Sequence, residues 1–166
     1  MTTYRRISPA DQHALYARIV KRCRPKPGEP IPVVVFDLDG TIMDNRPRTA
    51  TILQELAAEL REEAHSAAET LAAARTESLA YLLTESLQRL GVEHPEMVSR
   101  AEAFWRARFF SDAYLKHDVA VPGSVELAKA CYDAGAIIVY FTGRDLPFMS
   151  LGSFQSLRDL GYPIGV

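Results

Sequence analysis

Two aspartates, Asp37 and Asp39, directly follow a run of large apolar residues at positions 33–36. The run is short and β-branched and follows Pro30 and Pro32, which predicts a buried parallel strand ending at Asp37. Acids at i and i+2 of an extended segment point to the same side. Because two buried carboxylates stay charged only with a cation or a shared proton, the pair predicts a divalent-metal site where a phosphate ester binds.

The residues 37–41, Asp-Leu-Asp-Gly-Thr, resemble the first motif of the haloacid dehalogenase-like (HAD) superfamily, D-x-D-G-[T/S] after an apolar strand. The resemblance implies that Asp37 is a catalytic nucleophile that forms an aspartyl-phosphate and that Asp39 is the general acid and base. It also implies Mg²⁺, held by the Asp37 carboxylate and the Asp39 backbone carbonyl. The dehalogenases of the superfamily generally lack the second aspartate, so Asp39 favours phosphoryl transfer.

A second apolar run, residues 137–141, precedes Thr142, Gly143 and Arg144. It resembles the second HAD motif, an apolar strand that ends in Thr or Ser. The resemblance implies that the Thr142 hydroxyl and the Gly143 amide bind phosphate oxygens, since glycine permits a close backbone approach. A helix start near residues 145–147 would add its N-terminal field.

The role of Arg144 stays open between two interpretations. It either contacts the leaving group of the substrate or forms an ion pair with Asp145 or Asp39. We keep it with Thr142 and Gly143 among the predicted phosphate- and substrate-binding residues.

The elements around these motifs are predicted to be mainly helical. Helices are expected to begin at polar residues or proline and to end at glycine. The first helix is predicted at residues 8–22 with Ser8 as N-cap, the next starts at Pro47, and a third runs from about Ala67 to Leu90 and ends at Gly91. Three more are predicted: one that starts near Pro95, one that is capped by Ser124 and runs to about Ala134, and one from Ser153 to Leu160 that ends at Gly161. The strand–helix–strand order around 124–141 is typical of a parallel sheet.

The helical stretch at residues 47–117 lies between the two motifs and resembles a HAD helical cap. Caps of this kind close over the metal site, exclude water and select the leaving group. Asp44, Asn45 and Arg46 precede it, and each is either a hinge or substrate contact or a polar residue at a helix start. We include Asn45 among the predicted substrate-binding residues.

Bulk composition limits the functional classes. The 166 residues are 48% apolar with a net charge of −2, which suits one domain, or one domain with a large insertion, and implies no nucleic-acid partner. No apolar run approaches the roughly 20 residues that span a bilayer, and the first residues lack the apolar stretch of a secretory signal. Cys23 and Cys131 have no metal-site spacing and are expected to be reduced thiols, which favours a cytoplasmic setting.

The predicted fold class is α/β, with an incomplete Rossmann-like parallel sheet of HAD type and an inserted all-helical cap. The expected organisation is an N-terminal helix and Pro-rich connector at 1–30, a core at 31–46 and 118–166, and the cap at 47–117. A third strand is expected from Tyr162. Neither the Lys of the third HAD motif nor the acids of the fourth can be placed, and the first strand is expected to leave an exposed edge through which the chain self-associates.

The leading hypothesis is a Mg²⁺-dependent phosphatase that acts on a small phosphorylated molecule, with the chain as a fragment of a longer one. The alternative is a truncated or degenerate HAD domain that is not catalytic and binds a phosphate ligand or a protein partner. A phosphomutase or phosphotransferase would share the chemistry and differ only in the acceptor.

Overall fold

The computed structural model describes residues 8–165, and its central element is a two-stranded parallel sheet. Strand β1 (Val33–Asp37) pairs with β4 (Ile137–Phe141) from Val33 opposite Ile137 to Asp37 opposite Phe141. Helix α7 (Ser124–Asp133) leads into β4 and packs on it. The predicted mixed α/β class with a small Rossmann-like parallel sheet is confirmed.

Between the two sheet strands the chain passes through a helical insert, which we define as residues 46–115. A short antiparallel pair, β2 (Met43–Asp44) and β3 (Val119–Ala120), closes its base. The insert contains α2 (Arg46–Leu60), α3 (His65–Ala72), a 3₁₀ turn (Thr76–Ser78), α4 (Leu83–Leu90), α5 (Pro95–Phe109) and α6 (Asp112–Leu115). It has an apolar core of its own around Leu53, Leu56 and Leu71. The domain boundaries assigned from the sequence stay a prediction.

The continuous helix predicted from about Ala67 to Leu90 is wrong, because two serines redirect the backbone. The Ser78 hydroxyl accepts from the Arg75 amide (3.1 Å) and donates to the Arg75 carbonyl (2.8 Å). The Ser86 hydroxyl, which is fully buried, accepts from the Ala80 amide (3.0 Å). Such local side-chain bonds compete with the helical ladder, so the segment between α3 and α4 forms a turn rather than helix.

The predicted N-caps agree with the structure at Ser8 and differ from it at Ser124. Helix α1 (Pro9–Arg22) begins after Ser8, whose hydroxyl accepts from the Asp11 amide (3.1 Å) as predicted. The prediction that Ser124 caps α7 is wrong: Gly123 (φ +84°) is the N-cap, a left-handed conformation that glycine adopts without strain. The Ser124 hydroxyl instead donates to the Val121 carbonyl (2.6 Å).

Helix α8 (Leu146–Leu160) starts directly after Asp145, which confirms the helix start predicted near residues 145–147. The separate helix predicted from Ser153 is part of α8 and does not start at Ser153. Helix α8 packs closely against α6. The Gly152 amide donates to Asp112 Oδ1 (2.6 Å), and a methyl group on Gly152 would lie 2.7 Å from the Asp112 carbonyl oxygen. The last helix of the insert therefore rests on the helix that follows the second motif.

The third strand predicted from Tyr162 is wrong, since residues 162–165 form no strand. Tyr162 is buried, and its hydroxyl donates to the Ile42 carbonyl (2.7 Å) beside α7. Within the described residues β1 pairs with β4 alone.

The two faces of the sheet differ in exposure. Val34 and Ile138 pack on a buried cluster that includes the free thiols of Cys23 and Cys131. Burial and the neighbouring Cys23 raise the pKa of Cys131 to about 12. The apolar side chains of the other face are exposed, and they are Val33, Val35, Ile137, Val139 and Phe141. No helix among residues 8–165 is both long and apolar enough to cross a membrane.

Candidate active site

The turn after β1 sets the direction of both aspartates. Leu38 is buried, and its carbonyl accepts from the amides of Ile42 (3.1 Å) and Met43 (2.9 Å), which folds the chain back on itself. Gly40 holds the turn at φ +76°. A methyl group on Gly40 would lie 2.8 Å from Tyr81 Cε2, so a side chain of the insert covers the turn that carries the aspartates.

Asp37 ends β1 and is exposed. The Thr41 hydroxyl donates to Asp37 Oδ2 (2.6 Å). Within residues 8–165 no Lys, Arg or His side chain pairs with Asp37. The Asp37 carboxylate is therefore open to a ligand or a cation.

Asp39 lies in the opposite electrostatic situation. Its Oδ2 accepts from Arg144 Nε (2.8 Å), and its Oδ1 accepts from Arg144 Nη2 (2.8 Å), Arg48 Nη2 (3.1 Å) and Asn45 Nδ2 (3.5 Å). Burial alone would raise the pKa of Asp39, but the hydrogen bonds and charges of Arg144 and Arg48 outweigh it and lower the pKa below 3.8. Asp39 is thus ionised, and the positive charges of Arg144 and Arg48 compensate its negative charge.

The sequence left two ion-pair partners open for Arg144, which were Asp39 and Asp145. In the structure Arg144 pairs with Asp39. The guanidinium also donates from Nη2 to Asp118 Oδ2 (2.7 Å) and from Nη1 to Ser153 Oγ (3.1 Å). Its side chain is 3% exposed. The network therefore holds the Arg144 guanidinium in one position beside the cavity.

Sequence reasoning missed two residues of the site, Arg48 and Asp118. Arg48 is fully buried and donates from Nε to Asp118 Oδ1 (2.8 Å) and from Nη2 to Asp118 Oδ2 (2.7 Å). Burial raises the pKa of Asp118, while the charges of Arg48 and Arg144 oppose that shift. No local sequence pattern marked either residue, since the short strands β2 and β3 near which they lie were not predicted from the sequence.

Thr142 and Gly143 follow β4, as the second motif predicts. The Thr142 hydroxyl accepts from the Arg144 amide (3.1 Å), and Thr142 lines a small neighbouring cavity with Leu38 and Tyr140. Gly143 lies on the same cavity wall as Asp37, and a methyl group on it would meet no atom within 4 Å. The structure thus brings Gly143, rather than the Thr142 hydroxyl, to the space in front of Asp37.

A cavity of about 330 Å³ joins the two motifs to the insert. Its polar wall consists of Asp37, Asp39, Asn45, Gly143 and Arg144. Its apolar wall consists of Tyr81, Leu82, Leu83, Trp105, Phe109, Phe110 and Met149. A ligand in this cavity meets both an open carboxylate and aromatic side chains.

The family model of haloacid dehalogenase-like hydrolases matches residues 31–165. The chain belongs to this family. The match covers both motifs and the helical insert of this HAD-like hydrolase. No curated protein and no solved structure gives a significant match.

The family implies Mg²⁺, and the donors near Asp37 fit this ion in part. Among residues 8–165 no three His, Cys, Asp or Glu side chains are grouped to hold a metal. Mg²⁺, however, is often held by one or two carboxylates together with phosphate oxygens and water. In this HAD-like hydrolase the open Asp37 carboxylate is such a donor, whereas the Asp39 carboxylate is already bound by two arginines and leaves only its backbone carbonyl for the ion.

Proposed function

We propose that this HAD-like hydrolase is a Mg²⁺-dependent phosphatase that hydrolyses small phosphate monoesters through an aspartyl-phosphate on Asp37. The observation that carries the proposal is the contrast between two neighbouring acids. Asp37 is open at the cavity, while Asp39 is held by Arg144 and Arg48. A nucleophilic carboxylate needs an oxygen that no cationic side chain occupies, and Asp37 has one, since only the Thr41 hydroxyl bonds to its Oδ2.

Different residues of this chain would carry out different parts of the reaction. An Asp37 carboxylate oxygen forms a bond to phosphorus as the bond from phosphorus to the leaving oxygen breaks. The Gly143 amide and the Arg144 guanidinium line the cavity beside Asp37 and would bind the phosphoryl oxygens. Mg²⁺ on Asp37 and the Asp39 carbonyl would reduce the charge repulsion between carboxylate and phosphate.

Asp39 acts as acid only after its ion pair with Arg144 loosens, because a carboxylate with a lowered pKa carries no proton at neutral pH. A phosphate monoester that binds beside Gly143 as its monoanion competes for the Arg144 guanidinium and carries the proton that Asp39 lacks. As Arg144 turns to the phosphate, the burial of Asp39 favours its protonated form, and Asp39 takes this proton from the ester. Asp39 then gives the proton to the leaving oxygen, and later takes a proton from the water that attacks phosphorus and frees Asp37. The substrate thus prepares its own general acid.

A second candidate is a non-catalytic domain that binds a phosphate ligand or a protein partner. The ion cluster of Asp39, Arg48, Asp118 and Arg144 favours it, because the cluster is closed and neutral without any ligand. Phosphomutase or phosphotransferase activity shares the Asp37 step and differs only in the acceptor. We place the protein in the cytoplasm, and its two buried free thiols support this.

The test is Mg²⁺-dependent phosphate release from an aryl phosphate by the wild type, by Asp37→Asn and by Asp44→Asn. Asp44 is a matched control, since it lies seven positions away and pairs with Arg46 (2.7 Å). We expect activity in the wild type and in Asp44→Asn, and none in Asp37→Asn or with a chelator. Equal activity in wild type and Asp37→Asn would exclude Asp37 as nucleophile. Phosphate binding without any release would support the non-catalytic domain.

A further inference from the structure

The apolar wall of the cavity is built from fixed aromatic rings. Trp105 stacks on Phe109 with ring centroids 4.2 Å apart and meets the edge of Phe110 at 5.6 Å. The indole Nε1 donates to the Thr49 hydroxyl (3.1 Å), which fixes the orientation of the ring. Phe109 is fixed from the other side, because the Arg48 guanidinium lies 4.0 Å from its ring centroid.

Other apolar side chains of the same wall are exposed to solvent. Phe110 is 47% exposed, Tyr81 67% and Leu82 52%, although all three line the cavity beside Asp37. A ligand that covers them removes apolar surface from water. The fixed ring of Trp105 and the exposed ring of Phe110 supply the aromatic surface that such a ligand would contact.

The apolar wall carries no charge that could pair with a charged leaving group. Of the described lining residues only Asp37, Asp39 and Arg144 carry charge, and the last two neutralise each other. A polyhydroxylated leaving group would also bind poorly, because buried hydroxyls need partners and the apolar wall offers them only the Tyr81 hydroxyl. The volume of about 330 Å³ lies at the lower end for ligand pockets, which suits a single ring.

From this wall we infer that the substrate is the phosphate monoester of an uncharged, monocyclic aromatic alcohol, whose ring packs against Trp105 and Phe110. The inference rests on the proposed function for the phosphate end and on the aromatic wall for the leaving group. It assigns Trp105 and Phe110 as specificity-determining residues. The enzyme would then select its substrate because the leaving group covers the apolar wall of the cavity, and no charge pair to the leaving group would be needed.

The test measures binding in the Asp37→Asn variant, where no turnover occurs. Calorimetry compares phenyl phosphate, glycerol phosphate and inorganic phosphate, and the fluorescence of Trp105, the single tryptophan of the chain, reports ring binding. We expect phenyl phosphate to bind at least about tenfold more tightly than glycerol phosphate and to change the Trp105 signal.

A second substitution distinguishes stacking from general binding. Phe110→Ala should weaken phenyl phosphate about tenfold and leave inorganic phosphate unchanged. Phe148→Ala is the matched control, since Phe148 is 63% exposed on α8 and does not line this cavity. Equal affinity for phenyl and glycerol phosphate, or equal effects of the two alanine variants, would overturn the inference.

The outcomes separate this inference from the proposed function. Aryl-selective binding together with a wild type that releases no phosphate would uphold the aromatic site and reject the phosphatase. Phosphate release by the wild type with no aryl selectivity would uphold the phosphatase and reject the aromatic site.

Discussion

Arg48 and Asp118 face each other through two parallel hydrogen bonds of 2.8 and 2.7 Å, although they are 70 residues apart in the sequence. Arg48 lies at the start of the helical insert, and Asp118 lies just after its end. Both side chains are fully buried. The pair therefore joins the two connections between insert and sheet, and through Arg48 Nη2 and Arg144 it also holds Asp39 in place.

Removal of one partner of this pair should destabilise the fold strongly. Arg48→Met leaves the Asp118 carboxylate with one guanidinium in place of two, and we expect a loss of about 3–5 kcal/mol in the free energy of unfolding. Urea unfolding monitored by circular dichroism measures it. The double variant Arg48→Met/Asp118→Leu should be less destabilised than the single one, since it leaves no unpaired buried charge there.

A surface pair provides the control for this prediction. Arg100 pairs with Glu63 at 2.9 Å, and the two side chains are 42% and 64% exposed. Arg100→Met should cost less than about 1 kcal/mol. A cost for Arg48→Met as small as that for Arg100→Met would show that the buried pair does not hold the insert to the sheet.

The lowered pKa of Asp39 predicts a pH dependence of stability. Because this pKa is lower in the folded than in the unfolded chain, Asp39 stabilises the fold above its ordinary value of 3.8, and the contribution is lost as pH falls through the folded pKa. The pKa of Asp118 shifts in the other direction, so Asp39 must be isolated by comparison with Asp39→Asn. The stability difference between wild type and Asp39→Asn should be constant near neutral pH and shrink below pH 3.8. A difference that shrinks well above that pH would show that the arginines do not lower the pKa.

The open space at Gly143 predicts a separation of binding from stability. Gly143→Ala should change the free energy of unfolding by less than about 0.5 kcal/mol, since the methyl group meets no atom within 4 Å. The methyl group would instead fill the space where phosphate oxygens approach the Gly143 amide. We expect inorganic phosphate to bind about tenfold more weakly by calorimetry.

Gly152→Ala should lower the stability of the fold, in contrast to Gly143→Ala, because its methyl group would lie 2.7 Å from the Asp112 carbonyl oxygen. We expect a clear fall in Tm for Gly152→Ala and none for Gly143→Ala. Unchanged phosphate affinity in Gly143→Ala would place the phosphate elsewhere.

The exposed sheet face predicts self-association through a second copy of this chain. Val35 is 59% exposed on β1, which pairs only with β4 among the described residues. Val35→Lys should lower the apparent molecular mass of the protein at high protein concentration, because a lysine on a strand with an open edge opposes pairing with a second copy of the chain. Ala107→Lys, exposed on α5, adds the same charge and should leave the mass unchanged. Sedimentation analysis compares them, and a monomeric wild type would reject the prediction.

The sequence predicted those features that depend on neighbouring residues. The apolar runs predicted β1 and β4, Ser8 predicted the start of α1, and Gly91 and Gly161 in left-handed conformation end α4 and α8 as expected. Each of these signals lies within a few residues of the feature it predicts.

Features that depend on distant residues were not predictable in the same way. The ion cluster requires Arg48 and Asp118 to meet in three dimensions, and neither residue has a local pattern that marks it. One local feature was also missed: the break between α3 and α4 follows from Ser78 and Ser86, whose hydroxyls bond to nearby backbone where the helical pattern alone favoured a helix.

The close contact of α6 with Gly152 restricts how the helical insert can open. The Gly152 amide, which donates to Asp112 Oδ1 (2.6 Å), and the Ser156 hydroxyl, which donates to the Leu115 carbonyl (3.0 Å), tie the end of the insert to α8 at two points. Sliding of α6 along α8 would break both bonds. We therefore expect the insert to open by rotation about the α6–α8 contact, which would carry Tyr81 away from Gly40.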